Sequence, residues 1–209
     1  RSSAWIRMPV FPHESFIYCL AILIAWSAVG VVIALVPSAL AAHGHEVWTG
    51  FSTFLVISTG IVAQPLARKL SPLVSLRVGL LLVPVGFTVL VAGVVNNSLA
   101  LLMCGAMITG SACYGFTYLA GLASIASSST STDRARASSG YFLFAYFGFS
   151  VPVIASGALA DQIGVRSALF LFDGALFLST ILLFILMVLQ TRRGVLLPTP
   201  SRANDGRVA

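Results

Sequence analysis

Charge is what this sequence has least of. Of 209 residues only 9% are charged and six are acidic, while 58% are hydrophobic. A soluble domain of this length needs a polar shell, and too few polar residues are present to build one. Histidine occurs three times and never after His45. That absence excludes an intramembrane serine protease, which needs a serine in a G-x-S-G frame and a later histidine as base; the imperfect "GFSV" at 148–151 has no such partner. The three cysteines, Cys19, Cys104 and Cys113, all fall in apolar runs. Their odd number and placement argue for packing residues rather than disulfides or metal ligands. "HGHE" at 43–46 has no cysteine or further carboxylate to complete a zinc site and reads as a solvated outer loop. No cofactor and no metal are expected.

What is present is apolar length. A bilayer crossing takes about 20 mostly apolar residues, and six such runs occur, at 15–37, 48–67, 75–95, 98–123, 138–160 and 166–190. They are continuously apolar, whereas barrel strands alternate and are about half as long. The first run is not a cleaved signal peptide alone, because five more follow it. Segments 1–14 and 191–209 flank this six-helix membrane domain, the second reading as a short disordered tail. The chain begins with Arg1 rather than methionine, so a fragment of a longer protein is expected.

If the helices alternate, Arg1, Arg7, Arg68, Lys69, Arg77, Arg134, Arg136, Arg192, Arg193, Arg202 and Arg207 share one side of the membrane, and Arg166 alone lies on the other. Eleven against one puts both termini in the cytoplasm. The net charge of +6 thus has a topological cause and calls for no nucleic-acid partner; contact with anionic headgroups of the lipid bilayer is compatible with it. Glu14 and Glu46 fall at helix ends and read as solvated. The inner segment "SIASSSTSTDRARASS", 124–139, is small and polar without apolar period and reads as a flexible loop, a solvated linker rather than a phosphorylation site. The outer connections "VVNNS" and "ADQIGV" are tight, so the helices they join are antiparallel neighbours.

The stretch "SGALADQIGVRSALFLF" at 156–172 carries a resemblance. With Pro152 before it, Ser156, Gly157, Leu159, Ala160, Asp161, Gly164, Arg166 and Phe170 resemble the outer G-x-L-A-D-x-x-G-W-R turn of major facilitator superfamily transporters, Val165 replacing the tryptophan. The family's cytoplasmic gate loop has a similar frame, but assigning Gly157–Arg166 to it would turn the other basic residues outward. The gate position instead matches "QPLARKLSPL", 64–73, where Gln64 and Arg68 replace the glycine and aspartate and Lys69 keeps a basic position. The resemblance implies an all-α, six-helix half of the fold, a 3+3 inverted repeat, and the worn gate loop points to the C-terminal half. It also implies a plasma or bacterial inner membrane, a small-molecule substrate and the other six-helix half as partner.

Family geometry places the first and fourth helices of a half along the substrate cavity. On that resemblance Tyr18, Trp26 and Ser27, then Thr109, Ser111, Tyr114, Thr117 and Tyr118, line it, with Gln64, Tyr141 and Tyr146 behind them. Such residues also serve helix packing, and Ala106 to Gly110 and Ser111 to Gly115 are small-x-x-x-small pairs. Arg68 and Lys69 would belong to the gate. Pro152 loosens its helix, Gly157 and Gly164 permit close approach and positive φ, Asp161 caps the last helix, and Arg166 is near enough to pair with it. Asp173 is the one acid well inside a span; the peripheral position of its helix favours a structural partner over a proton-coupling site. Efflux or proton-coupled exchange of an amphipathic organic solute follows from an aromatic rather than charged lining. A non-transporting six-helix scaffold or channel subunit is the alternative, though nothing resembles a selectivity filter. A cysteine at Gln162 is expected to react with an impermeant maleimide added to intact cells; protection until the membrane is opened would reverse the orientation.

Overall fold

The structure is a computed structural model that describes residues 8–9 and 15–192, with side chains to residue 190. The segments at 1–14 and 191–209, with Glu14 and the terminal arginines, therefore lie almost wholly outside the described residues. Six helices are long and apolar enough to cross a membrane, and no strand occurs among the described residues. They are α1 (Phe16–Ala41), α2 (Thr49–Ala67, preceded by a 3₁₀ turn at Glu46–Trp48), α3 (Pro72–Val95), α4 (Leu99–Ser128), α5 (Arg134–Ile163) and α6 (Val165–Arg192).

The helix ends differ from the expected spans because capping and polar contacts extend them. α3 starts three residues early, at Pro72: proline is tolerated in a first turn, and the Ser71 hydroxyl accepts from the Val74 N–H at 3.4 Å. α1 runs past Pro37 to Ala41. The polar segment at 124–139 is mostly helix, not the flexible loop expected, since α4 continues to Ser128 and α5 begins at Arg134. Its small polar residues hold these ends together. Ser15 and Ser128 hydroxyls meet at 2.8 Å, Arg134 Nη2 donates to the Ala126 carbonyl at 3.2 Å, and Arg136 donates both to Asp133 and to the Met8 carbonyl. Thirty residues of α4 span about 45 Å, more than the hydrocarbon core of about 30 Å, so such ends reach polar surroundings.

α1 is the central helix and the most buried. It packs along α5, α3 packs along α4, and α4 packs along α2. Exchanging α1–α3 for α4–α6 turns the α1–α5 pair into the α4–α2 pair, whereas the extensive α3–α4 contact has a lighter counterpart between α6 and α1. Close approach comes from glycines. A Cβ at Gly148 would strike the backbone of Leu23, one at Gly105 the backbone of Leu90, and one at Gly110 the carbonyl of Val56. Without a hydrophobic drive between helices in lipid, this backbone proximity supplies the dispersion contact that joins them.

Gly157, expected to permit close approach, has nothing within 4 Å of where its Cβ would lie. Gly164 alone joins α5 to α6, with φ of 84°, the region glycine enters without cost. Gly148→Leu is therefore expected to part α1 from α5 and cost about 1–3 kcal/mol, or prevent folding, whereas Gly157→Ala leaves thermal stability in detergent unchanged. Equal melting temperatures for both variants would refute this packing.

Candidate functional site

The aromatic side chains of α1, α4 and α5 meet. Trp26 on α1 lies edge-on to Tyr114 of α4 at 5.9 Å between ring centroids, and to Tyr146 and Phe149 of α5 at 5.7 and 6.2 Å. The chain of rings continues from Tyr146 to Phe142 at 6.4 Å and from Phe142 to Tyr118 at 6.2 Å. Edge-to-face pairs at these separations add attraction beyond area burial. Tyr146 is 61% exposed, so the cluster opens to one side of the bundle. The indole N–H of Trp26 is buried and has no hydrogen-bond acceptor among the described residues.

The eleven residues expected along a cavity divide into two sets. Trp26, Tyr114, Tyr118 and Tyr146 form the aromatic face, and two polar residues border it: Gln64 reaches the Tyr114 carbonyl at 3.5 Å and Ser111 donates to the Thr59 carbonyl at 3.4 Å. The rest are interior. Thr109 is fully buried against Gly86 and bonds back to the Gly105 carbonyl at 2.8 Å; Thr117 is as buried and bonds the Ala112 carbonyl at 2.9 Å. Tyr18 is 7% exposed, and Tyr141 is fully enclosed with its ring against Gly121. Ser27 bonds the Ile24 carbonyl at 2.7 Å. It lines a separate apolar cavity of about 320 Å³ between α1, α5 and α6, with Pro152, Ser156 and Phe172.

Phe142 and Phe149 were missed. With Tyr146 they lie at i, i+4 and i+7 on α5, the spacing of one helix face, which was available in the sequence. The larger omission is in α4, whose residues Ser111–Thr117 form a π-helical segment. The Tyr118 N–H donates to Cys113 five residues back. π segments inside α-helices recur at functional sites.

At the expected gates the outcome is mixed. Arg68 and Lys69 are exposed where α2 turns into α3, their N–H groups closing the helix on Gln64 and Leu66 carbonyls. Arg68 also borders a cavity of about 360 Å³ beneath α3 and α4, with Ser75 and Leu119. Pro152 sits half-buried inside α5. Asp161 is not a cap: it lies in the last turn of α5, exposed, and the residue before α6 is Gly164. Arg166 does not pair with it. Because α6 starts one residue after Gly164, the guanidinium is carried toward α3 instead, where Nη2 donates to the Val95 carbonyl at 3.2 Å. Asp173 faces Thr88 of α3, whose hydroxyl stands 3.1 Å from both carboxylate oxygens. In "HGHE", His43 Nδ1 is 2.8 Å from the Ala39 carbonyl. Of the cysteines, Cys19 and Cys113 are buried, and Cys104 is exposed on α4.

No curated protein and no solved structure matches the chain. The model of one family does, described as Major Facilitator Superfamily, over residues 15–207. That match covers nearly the whole sequence and every described helix, and it agrees with six apolar spans. The chain belongs to the Major Facilitator Superfamily, a family of membrane transporters of small solutes.

Proposed function

We propose that the chain is the C-terminal six-helix half of a secondary transporter that moves a small amphipathic organic solute by alternating access, with efflux or exchange as its direction. The observation that carries this reading is the aromatic face of α1, α4 and α5, open at Tyr146 and holding an unpartnered indole N–H at Trp26. Rings supply apolar contact to the body of a solute, and the N–H offers one hydrogen bond to an acceptor on it. The other six-helix half would close the cavity from the opposite side.

The basic bias supports cytoplasmic ends for the membrane domain at 15–190, with segments 1–14 and 191–209 on that side. In this orientation Arg68 and Lys69 guard the inner mouth, and the Gly164 turn and Pro152 form an outer hinge. Thr88 engages both oxygens of Asp173, which favours a structural link between α3 and α6 over a coupling role.

Two measurements test the reading. Reconstituted in liposomes together with its partner half, the protein should catalyse saturable counterflow of at least one member of a broad panel of labelled organic solutes; none for any of them would sink the transport assignment. Trp26→Ala should then weaken apparent affinity by roughly thirtyfold, since truncating a tryptophan at a binding hot spot costs about 2 kcal/mol or more. Asp173→Asn, which keeps a partner for Thr88, should leave exchange unchanged, and its loss in a folded protein would move Asp173 into coupling.

A further inference from the structure

The π segment of α4 is held from three sides. Within it, carbonyl after carbonyl accepts a side-chain donor. Thr117 Oγ1 donates to Ala112, Gln64 of α2 reaches Tyr114, Ser75 of α3 donates to Phe116 at 3.0 Å, and the Tyr141 hydroxyl of α5 stands 3.3 and 3.4 Å from the Tyr118 and Thr117 carbonyls. A widened turn also needs room. Gly60 of α2 lies against Tyr114, and Gly79 of α3 lies against Thr117 and the Ala112 carbonyl; a Cβ at either would overlap α4. Glycines and donors thus converge on the same seven residues from neighbouring helices.

We propose that Ser75 and Tyr141 are positioning residues that hold α4 in this widened register, and that releasing them turns the Tyr118 end of the helix relative to its Ser111 end. Each α-helical residue advances the helix by about 100° and 1.5 Å, so a one-residue change of register swings every side chain beyond it to a new face. Tyr118 would leave Phe142, and Tyr114 would change its approach to Trp26. The tie is economical in donors: the Tyr141 ring is fully enclosed against Gly121, so its hydroxyl cannot reach water, and the π-segment carbonyls are its partners. The link to transport rests on the function proposed above, whereas the register itself does not.

Cys113, buried within the segment, is a native reporter. The full chain would be placed in phospholipid vesicles with Cys19 and Cys104 replaced by serine, and the rate of N-ethylmaleimide modification followed. Tyr141→Phe, and independently the milder Ser75→Ala, should raise the rate at Cys113 about tenfold, as expected when a buried hydrogen bond that favours one register is lost. Ser75→Thr, which keeps the hydroxyl, should restore the slow rate. In a parallel protein that retains only Cys19, buried in α1, neither variant should change the rate. An equal rise at Cys19 would mean general loosening and would overturn the proposal, as would unchanged labelling of Cys113. The assay uses no solute, so it stands whether or not counterflow is found.

Discussion

A backbone carbonyl inside the hydrocarbon slab has only protein to bond to. In a regular helix the ladder answers that demand automatically, and the rest of this bundle is free to pack by shape. α4 interrupts its own ladder with a π segment in mid-span, and its neighbours carry hydroxyl and amide donors at the matching heights. One polar residue from each of α2, α3 and α5, namely Gln64, Ser75 and Tyr141, is thus spent on α4. Gly60 and Gly79 follow from the same constraint, because donors as short as serine reach a carbonyl on the next helix only where the two backbones nearly touch.

This division explains why the aromatic face is so apolar. Thr109, Thr117 and Tyr141 turn inward to satisfy backbone, leaving rings rather than hydroxyls at the open side. Trp26 brings the one ring of that face whose donor is buried without an acceptor among the described residues. A buried N–H without an acceptor costs more than a paired one gains, so an acceptor arriving at the aromatic face improves the balance there; the buried hydroxyls of Ser129 and Thr180, likewise without partners among the described residues, lie away from that face.

Much of the fold was legible in the sequence, since continuous apolar runs separated by short polar turns admit few arrangements. The aromatic residues of the site were legible too, as types on particular helices. Which of them face outward was not, because α4 does not keep one period: past the π segment a face extrapolated from Ser111 by 3.6-residue spacing no longer matches. Thr117 shows the consequence, expected along the cavity with Tyr114 and Tyr118 and found fully buried on the Ala112 carbonyl. Asp161 failed for a different reason. Capping chemistry depends on the exact residue at which a helix starts, and a single-glycine connection left the aspartate inside the preceding helix. The polar segment at 124–139 misled because serine-rich sequence suits a loop as well as a helix end whose side chains bond one another; Ser15, lying far away in sequence, decides between them.

α3 is joined to its two neighbours by different means. Along its length it carries three polar ties: Ser75 to α4 near one end, Thr88 to Asp173 of α6 in the middle, and the Val95 carbonyl to Arg166 of α6 at the other end. Two of the three go to α6 and are spaced seven residues apart, about 10 Å of helix. The two joints of α3 are therefore of different kinds: α6 meets it over a smaller contact pinned by two polar ties, whereas α4 lies along its length with glycines bringing the backbones together, Gly105 against Leu90 and Gly93 against Leu102, and needs a single serine hydroxyl where the π segment leaves a carbonyl to satisfy.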